Sequence, residues 1–178
     1  MSRSRPLLLL LALVLSGCAY SIQGDAVPGP LPSSSTDPEA PKIPSTRKVA
    51  DVDPCTLLSK DDLKSLGAPK ADPQRQDQRI PQSCQFSMNG GTVVAAIYLP
   101  YAETKKKQSL GREVFVEKYS TWLTCTQQGP DMVCTAVVAV QPEKSLLVAL
   151  ALQGASEDKV TATLTPLASA ALARLPAA

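Results

Sequence analysis

The sequence predicts an α+β domain in which a single antiparallel β-sheet packs against helices at both ends of the folded chain. Three observations support this fold class. Short β-rich segments follow one another from residue 83 to residue 152, with turn residues between them. Helix signals flank this region on both sides, and four cysteines are spread along it as potential staples. The short connections favour antiparallel neighbours, because parallel strands need long crossovers.

The chain begins with a segment typical of export. Two arginines precede an apolar run over residues 7–15, which together form the charged and hydrophobic parts of a secretory signal. The run is too short for a permanent membrane span. Leu15-Ser16-Gly17-Cys18 follows and resembles the lipobox of bacterial lipoproteins, in which the cysteine becomes the diacylglycerol-modified N-terminus. We predict a signal peptide at 1–17 and a lipidated Cys18 on the extracytoplasmic face of the cell membrane, with ordinary secretory cleavage as the alternative.

Residues 18–50 are predicted to be the lipid anchor and a disordered tether. The segment carries a Ser33-Ser34-Ser35-Thr36 cluster and almost no large apolar residue, so burial cannot offset the entropy of ordering it. It also contains prolines at positions 28, 30, 32, 38, 41 and 44. Such a tether would reach from about 30 Å as a coil to about 100 Å when extended. It would lift the globular domain, residues 51–178, off the membrane.

Charge and composition exclude several classes of function. The chain has 18 basic and 16 acidic residues; two arginines leave with the signal, so the mature chain is neutral. A neutral chain with few aromatic residues lacks the basic surface that nucleic-acid binding needs. The absence of histidine removes Ser-His-Asp and Cys-His catalysis and the usual ligands of catalytic zinc. We therefore expect no nucleic-acid partner, no metal and no cofactor.

The globular domain is predicted to open with two consecutive helical turns. Asp53 can cap the first turn, and Pro54 suits its first position. Ser59 and Asp62 repeat the start signal, and Gly67 supplies a left-handed stop. The apolar face of these turns comprises Leu57, Leu58, Leu63 and Leu66.

The sheet is predicted to follow a polar loop at residues 68–81. Asn89-Gly90-Gly91 is the strongest hairpin signal in the chain. Residues 101–111 break the β pattern, and residues 127–130 and 141–144 are turns. The predicted strands lie at residues 83–88, 92–99, 114–116, 119–126, 132–140 and 146–152.

A helix is predicted to end the chain. Ser156 caps it, and the two acidic residues that follow suit the positive end of the helix dipole. Pro166 should kink or divide it, with Thr165 as a second cap. Its buried stripe comprises Val160, Leu164, Leu167, Ala171 and Leu175.

The four cysteines after Cys18 are predicted to form two disulfides, because their number is even and the expected compartment is oxidising. Of the three possible connectivities we favour Cys125–Cys134, which staples two neighbouring strands across their turn. The second bridge, Cys55–Cys84, then pins the first helical turn to the first strand. A metal site is the alternative, but the chain has neither Cys-x-x-Cys nor histidine.

These motifs together resemble a known family. The lipobox, the Ser/Pro-rich tether, Asp53-Pro54-Cys55-x-Leu57-Leu58, Leu66-Gly67, Cys84 before an aromatic residue and the late cysteine pair are similar to actinobacterial lipoproteins grouped as domain of unknown function 3558. These motifs are structural, so the resemblance implies no catalytic residue. Members commonly carry Trp or Tyr near the second cysteine, where this chain has Phe86. The predicted layout also resembles small Mog1/PsbP-like domains, at the level of fold alone.

Catalysis is not expected. Ser45 and Ser156 each begin a Ser-x-x-Lys match, the nucleophile and base of penicillin-recognising enzymes. Nothing is expected to hold Ser45 within the tether, and Ser156 is needed as a helix cap. The adjacent carboxylates Asp61 and Asp62 are explained by the dipole of a helix start. A cell-envelope hydrolase remains only as a second alternative.

The leading hypothesis is a membrane-anchored binding or accessory module at the cell envelope, with an envelope protein as partner. Exposed tyrosines can anchor such a contact and lysines can steer an anionic partner, whereas a core tyrosine and a solvated helix face are the alternative reading. The candidate surface comprises Tyr98, Tyr101, Lys105, Lys106 and Lys107. The other hypothesis is a carrier of a small apolar ligand or lipid. It predicts an enclosed pocket lined by residues such as Val94, Ile97, Phe115 and Trp122.

Overall fold

A computed structural model describes residues 40–76 and 80–178. Seven strands form one antiparallel sheet, and two α-helices pack against it, which confirms the predicted α+β class. The helices are α1 (Tyr101–Lys107) and α2 (Glu157–Arg174). The strands are β1 (Gln74–Gln76), β2 (Ser83–Met88), β3 (Gly91–Tyr98), β4 (Arg112–Val116), β5 (Tyr119–Gln128), β6 (Asp131–Ala139) and β7 (Ser145–Gln153). The predicted signal peptide, Cys18 and most of the tether lie outside the described residues.

The sheet consists of two antiparallel meanders that meet at its centre. The spatial order is β1-β2-β3-β7-β6-β5-β4, so β3 pairs with β7 and not with its sequence neighbour β4. Helix α1 lies in the connection between β3 and β4. Strands β3 and β7 are rich in Val, Ala and Leu because both of their faces are largely covered. The two edges of the sheet are therefore β1 and β4.

Helix α2 covers one face of the sheet. Its apolar stripe is buried against β6 and β7, and the Ser156 hydroxyl accepts a hydrogen bond from the Lys159 N–H, as a helix cap does. Of the two outcomes predicted for Pro166, a kink or a division, the division of the helix with Thr165 as a second cap is wrong. The helix runs on through Pro166, and the Thr165 hydroxyl donates to the Thr161 carbonyl inside it. Burial of Leu164 and Leu167 outweighs the one backbone bond that proline removes.

A smaller apolar cluster covers part of the opposite face. Tyr101 at the start of α1 packs there with Trp122 of β5, and Ile43 from the chain segment before the domain adjoins them. Ala96, Val137, Ala139 and Leu147 complete this cluster. None of the helices in the described residues is long and apolar enough to cross a membrane.

The two turns at the start of the domain are 3₁₀ turns, Pro54–Thr56 and Lys64–Leu66. The predicted cap of the first turn is present, whereas the second turn has Leu63 at its N-cap position and no side-chain cap hydrogen bond; Ser59 and Asp62 bond to each other in the turn just before it. An Asp53 carboxylate oxygen accepts from the Cys55 N–H at 3.0 Å, and the Asp62 carboxylate accepts from the Ser59 N–H at 2.7 Å. Gly67 has a φ of +81°, the left-handed conformation that glycine adopts without strain.

The boundary predicted at residue 51 moves toward the N-terminus, because residues 42–48 are bonded to the domain. The Arg47 N–H donates to the Val140 carbonyl at 3.1 Å, and the Lys48 N–H donates to the Pro176 carbonyl at 2.8 Å. Ile43 and Val49 pack against the core at the same time. Although this segment has few large apolar residues, backbone partners at the end of the sheet and in the C-terminal segment hold it in place.

Both predicted disulfides are present. Cys55 is bonded to Cys84 and ties the first 3₁₀ turn to β2. Cys125 is bonded to Cys134, and these residues lie directly opposite each other on β5 and β6.

Candidate functional site

The surface predicted around the tyrosines is only partly exposed. Tyr101 retains 3% of its accessible surface and packs against the sheet, so it cannot anchor an external contact as expected. Its ring faces inward because the first turn of α1 lies on the sheet. Burial, reinforced by the negative charge of Glu113, raises the pKa of Tyr101 well above its ordinary value. Tyr98 is half-buried beside the same cluster.

The three lysines of the predicted surface have different environments. The Lys105 ammonium lies 5.5 Å from the centre of the Trp122 ring, a cation–π arrangement. Lys107 forms an ion pair with Glu103 at 2.7 Å, one turn earlier on α1. Lys106 is exposed. As consecutive positions of a helix, the three lysines point in different directions around α1, and no exposed tyrosine lies among them.

The predicted enclosed pocket does not form, because the four residues proposed to line it do not converge. Ile97 belongs to the core under α2, whereas Trp122 belongs to the cluster on the opposite face. Val94 is half-buried on β3, and Phe115 on edge strand β4 is 61% exposed. Alternation of side chains along a strand sends positions 94 and 97 to opposite faces.

The structure instead contains an open groove at the other edge of the sheet, with a volume of about 630 Å³. We call it the β2 groove. The side chains of Leu58, Leu63, Phe86 and Met88 form its apolar floor, and all four are nearly inaccessible to water. Its walls and rim are formed by Ser59, Lys60, Lys64, Gly67, Pro69, Lys70, Ala71, Asp72 and Pro73.

The floor of the β2 groove is held from two sides. Phe86 and Met88 alternate with polar residues along β2, so both point to the same face as Cys84. The Cys55–Cys84 disulfide then fixes the turn that carries Leu58 against that strand. This staple stabilises the arrangement mainly by restricting the unfolded chain.

The wall of the groove is a loop that is tied to the β2–β3 hairpin by backbone hydrogen bonds. The Gly90 N–H donates to the Leu66 carbonyl, and the Lys70 N–H donates to the Ser87 carbonyl, each at 2.8 Å. The Asn89 N–H donates to the Ala68 carbonyl at 2.9 Å. Because these three hydrogen bonds hold the backbone of the wall in place, the wall does not close over the floor and the groove remains open.

The rim of the β2 groove is mainly positive. Lys60, Lys64 and Lys70 are all exposed around it, and Asp72 is the acidic residue among the lining side chains. Lys64 forms an exposed ion pair with Asp61 at 2.8 Å, which is worth little energetically. Within the described residues, Lys60 and Lys70 form no ion pair, so their charges remain available to a ligand.

Asp62 and Arg174 brace the floor from below. Arg174, at the end of α2, lies 2.7 Å from the Asp62 carboxylate and donates to the Leu57 carbonyl at 3.3 Å. Partial burial would raise the pKa of Asp62, but hydrogen bonds from Ser59 and the charge of Arg174 outweigh it. The pKa of Asp62 therefore lies below its ordinary value, and the carboxylate is ionised at neutral pH.

A second polar cluster clamps the segment before the domain. The Tyr119 hydroxyl donates to the Ser45 carbonyl at 2.8 Å, lies 2.7 Å from the Ser45 hydroxyl, and accepts from the Arg47 Nε at 3.1 Å. Burial would raise the pKa of Tyr119, but the bonds from Ser45 and Arg47 hold it below its ordinary value. Ser45 is thus held in place, contrary to expectation, by a clamp that immobilises residues 42–48.

No three His, Cys, Asp or Glu side chains converge on a possible metal position in residues 40–76 and 80–178. The β2 groove was not predicted from the sequence, because residues 68–81 carry mainly the polar and proline signals of a connecting loop. A usable signal was present: Pro69 and Pro73 bracket Lys70 there, and Cys84, Phe86 and Met88 alternate immediately afterwards.

Comparison with known proteins gives the family. The sequence model of the family described as "Protein of unknown function (DUF3558)" matches residues 13–166. No curated protein matches the sequence. A crystal structure from Bacteroides thetaiotaomicron aligns at a TM-score of 0.37 with 7% identity, over 52% of this chain and 38% of that chain, and so carries no argument. Because the family match spans most of the sequence, the protein belongs to the DUF3558 family.

Proposed function

We propose that this protein is a lipid-anchored binding module of the cell envelope, and that its folded domain binds a small amphiphilic ligand in the β2 groove. One observation carries this proposal: an open groove of about 630 Å³ with a fully apolar floor and a rigid wall. This volume lies within the range of about 300 to 1,000 Å³ that is typical of small-molecule sites.

The chemistry of the lining favours one class of ligand. The groove suits a hydrocarbon chain, because its floor is apolar and the exposed Pro69, Ala71 and Pro73 of its wall add accessible apolar surface. Each buried methylene contributes about 0.8 kcal/mol of transfer free energy. The ammonium groups of Lys60 and Lys70 at the rim suit a carboxylate at the end of that chain. A long-chain fatty acid satisfies both requirements, with its tail on the floor and its head among the lysines. This proposal keeps the hypothesis that the protein carries a small apolar ligand or lipid, but it places the ligand in the β2 groove instead of the pocket predicted from the sequence.

Fluorescence titration with cis-parinaric acid, a long-chain fatty acid, tests the site. Ala71 lies in the wall and is exposed, so Ala71→Phe should fill the groove without disturbing the core. We expect this variant to bind the probe at least about tenfold more weakly, because loss of about 1.4 kcal/mol of chain burial is a factor of ten. Ala102→Phe makes the same substitution at an exposed position of α1 and should bind as the wild type does.

The contribution of the rim is measured separately. Lys60→Glu combined with Lys70→Glu should weaken parinaric acid binding about fivefold to thirtyfold, since exposed charge pairs contribute about 0.5 to 1 kcal/mol each. The same substitutions should leave binding of an uncharged methyl ester of the probe nearly unchanged. Equal binding of the acid by the wild type and the Ala71→Phe variant would refute the groove as the site.

The lipid anchor is part of the same proposal. It is supported by the arginines, the short apolar run and the Leu15-Ser16-Gly17-Cys18 sequence. Intact-mass measurement of the membrane-extracted protein should show residues 1–17 removed and acyl chains on Cys18, and Cys18→Ala should release or mislocalise the protein. A membrane-extracted form that retains residues 1–17 would contradict this assignment.

We propose further that the module binds without turning over a substrate. Support comes from the absence of histidine and from the Tyr119 clamp, whose hydroxyl proton is directed to the Ser45 carbonyl. The purified protein should hydrolyse ester and cell-wall substrates no faster than its Ser45→Ala variant. Hydrolysis at enzymatic rates that is lost in Ser45→Ala would replace the binding module with an envelope hydrolase.

A further inference from the structure

The edge of the sheet opposite the β2 groove presents an unusual pair of apolar side chains. Among residues 40–76 and 80–178, the exposed large hydrophobic residues are Leu110, 92% exposed, and Phe115, 61% exposed. Single exposed apolar residues are common on soluble proteins and need no explanation. Here Leu110 lies in the loop that follows the lysine-containing helix α1, and Phe115 lies five residues further along the chain on edge strand β4.

Leu110 is exposed on a loop whose conformation is fixed. The Trp122 indole N–H donates to the Gln108 carbonyl at 2.8 Å, and the Gln108 N–H donates to the Thr104 carbonyl at 2.9 Å. Gly111 lies flat on the indole, where a Cβ atom would overlap the ring. The loop therefore cannot simply fold its leucine inward without breaking these contacts.

The chain around the two apolar residues carries a small excess of positive charge. From Tyr101 to Lys118 the chain carries five basic side chains against three glutamates, a net charge of +2 in a mature protein that is neutral overall. Glu103 pairs with Lys107 and Arg112 pairs with Glu157 of α2, whereas Glu113 and Glu117 accept from the Ser120 and Ser169 hydroxyls and keep their charges. Within the described residues, Lys106 and Lys118 form no ion pair.

The chain approaches this surface from its N-terminal side. Phe115 lies directly opposite Ser120 on the neighbouring strand. The Lys42 N–H donates to the Ser120 hydroxyl, and the Ser120 N–H donates to the Lys42 carbonyl, each at 2.9 Å. The described residues begin two positions earlier, at Ala40, so the route from the domain toward Cys18 starts beside Phe115.

We propose that the surface formed by Lys106, Leu110, Phe115 and Lys118, the β4 patch, docks on an anionic phospholipid bilayer. Leu110 and Phe115 enter the headgroup region, and the two lysines contact lipid phosphates. This inference rests on the proposed lipid anchor, which makes docking an intramolecular step, so that a weak patch suffices. The docked domain would hold the β2 groove, at the opposite edge of the sheet, away from the membrane.

Hydrogen exchange on the full-length acylated protein in vesicles tests the proposal. Vesicles of phosphatidylcholine are compared with vesicles that also contain phosphatidylglycerol. We expect exchange over residues 108–116 to slow several-fold on the anionic vesicles alone. Leu110→Ser combined with Phe115→Ser should abolish the slowing. Lys106→Glu combined with Lys118→Glu should reduce the docking equilibrium at least about tenfold, since each lysine near an anionic surface contributes about a fivefold gain.

Lys159→Glu is the matched charge control, because Lys159 is exposed on α2 against the other face of the sheet. It should leave exchange over residues 108–116 unchanged. If the protein stays on the vesicles but exchange over residues 108–116 is equal on both lipid compositions, the docking of the β4 patch is refuted and the lipid anchor is not. Protein that is not retained by any vesicle would overturn the anchor itself. Slowing that requires added envelope proteins would assign the patch to a protein partner and refute bilayer docking.

Discussion

The two edges of the sheet contain the two phenylalanines of this chain in opposite environments. Phe86 on β2 is 3% exposed, beneath the turns, loop and disulfide that build the β2 groove, whereas Phe115 on β4 is 61% exposed. Both residues occupy strands with similar β-forming sequences. The difference shows that the burial of a strand residue depends on whether other segments of the chain pack over that strand. An apolar residue that remains uncovered at a sheet edge is a candidate contact surface.

The two edges also manage their unpaired backbone groups differently. Strand β1 has only three residues, and its exposed Gln74 and Arg75 give it a polar outer side. Strand β4 is longer and carries Arg112 and Glu113, charged residues that discourage edge-to-edge pairing with another sheet. The charged side chains of β4 therefore disfavour a further strand as the partner of Phe115.

The largest expected effect concerns the disulfides. Cys55→Ala with Cys84→Ala should lower the free energy of unfolding by about 4 kcal/mol, and Cys125→Ala with Cys134→Ala by about 3 kcal/mol, because the bridged residues lie 29 and 9 positions apart. Urea denaturation measures both values. Only the first pair should also weaken parinaric acid binding, since it alone holds the groove floor. A larger loss of parinaric acid binding in Cys125→Ala with Cys134→Ala than in Cys55→Ala with Cys84→Ala would contradict the assignment of the groove floor to the Cys55–Cys84 disulfide.

The two phenylalanines give a direct test of the edges. Phe86→Ala should cost about 3 kcal/mol, at the low end for a core phenylalanine because the open groove lets neighbouring groups relax into the space. Phe115→Ala should change stability by no more than about 0.5 kcal/mol, as an exposed substitution does. Thermal or urea unfolding of the two variants provides the measurement. Similar losses in both would mean that the β4 edge is covered in the folded protein.

The sheet and the staples could be predicted from the sequence for clear physical reasons. The Val- and Ala-rich runs of β3 and β7 and the Asn89-Gly90 turn are local signals. The cysteine pairing followed from which elements must be neighbours. Strand β1 gave no such signal, because Gln74, Arg75 and Gln76 are polar and form a strand only by pairing with β2.

The candidate sites were harder to predict because they depend on segments that are distant in sequence. The β2 groove joins residues 58–64 to residues 67–73 and β2, and only the folded chain brings these together. The exposure of Phe115 depends on β4 being the last strand of the sheet, which the strand order decides. Sequence reasoning therefore placed Phe115 in a pocket and Tyr101 on the surface, and both placements were wrong.

A smaller effect should separate Asp62, beneath the groove, from its exposed neighbour Asp61. Because the fold depresses the pKa of Asp62 below 3.8, its contribution is complete at neutral pH and is lost as the pH falls through that depressed value. Asp62→Asn should cost about 2 kcal/mol at pH 7, as the loss of hydrogen bonds to a charged group does. The difference from the wild type should shrink below about pH 4.

Asp61→Asn is the matched control for this measurement, because within residues 40–76 and 80–178 the Asp61 carboxylate forms an ion pair with exposed Lys64 alone. It should change stability by no more than about 0.5 kcal/mol at either pH. Urea unfolding at pH 7 and at pH 3 provides the comparison. A difference between Asp62→Asn and the wild type that stays constant with pH would show that Asp62 is not the titrating brace of the groove.

The smallest expected effect tests the clamp beside the β4 edge. Tyr119→Phe removes the hydroxyl that bonds Ser45 and Arg47, so it should cost about 1 kcal/mol and speed hydrogen exchange over residues 42–48. Tyr98→Phe, at a half-buried position of β3, serves as the control and should leave hydrogen exchange over residues 42–48 unchanged. Lys42 is hydrogen-bonded to Ser120, and Ser120 lies directly opposite Phe115. Loosening the clamp should therefore also weaken bilayer docking of the β4 patch, but it should not affect parinaric acid binding. Reduced fatty-acid binding in Tyr119→Phe would mean that the two edges are coupled and do not act as separate sites.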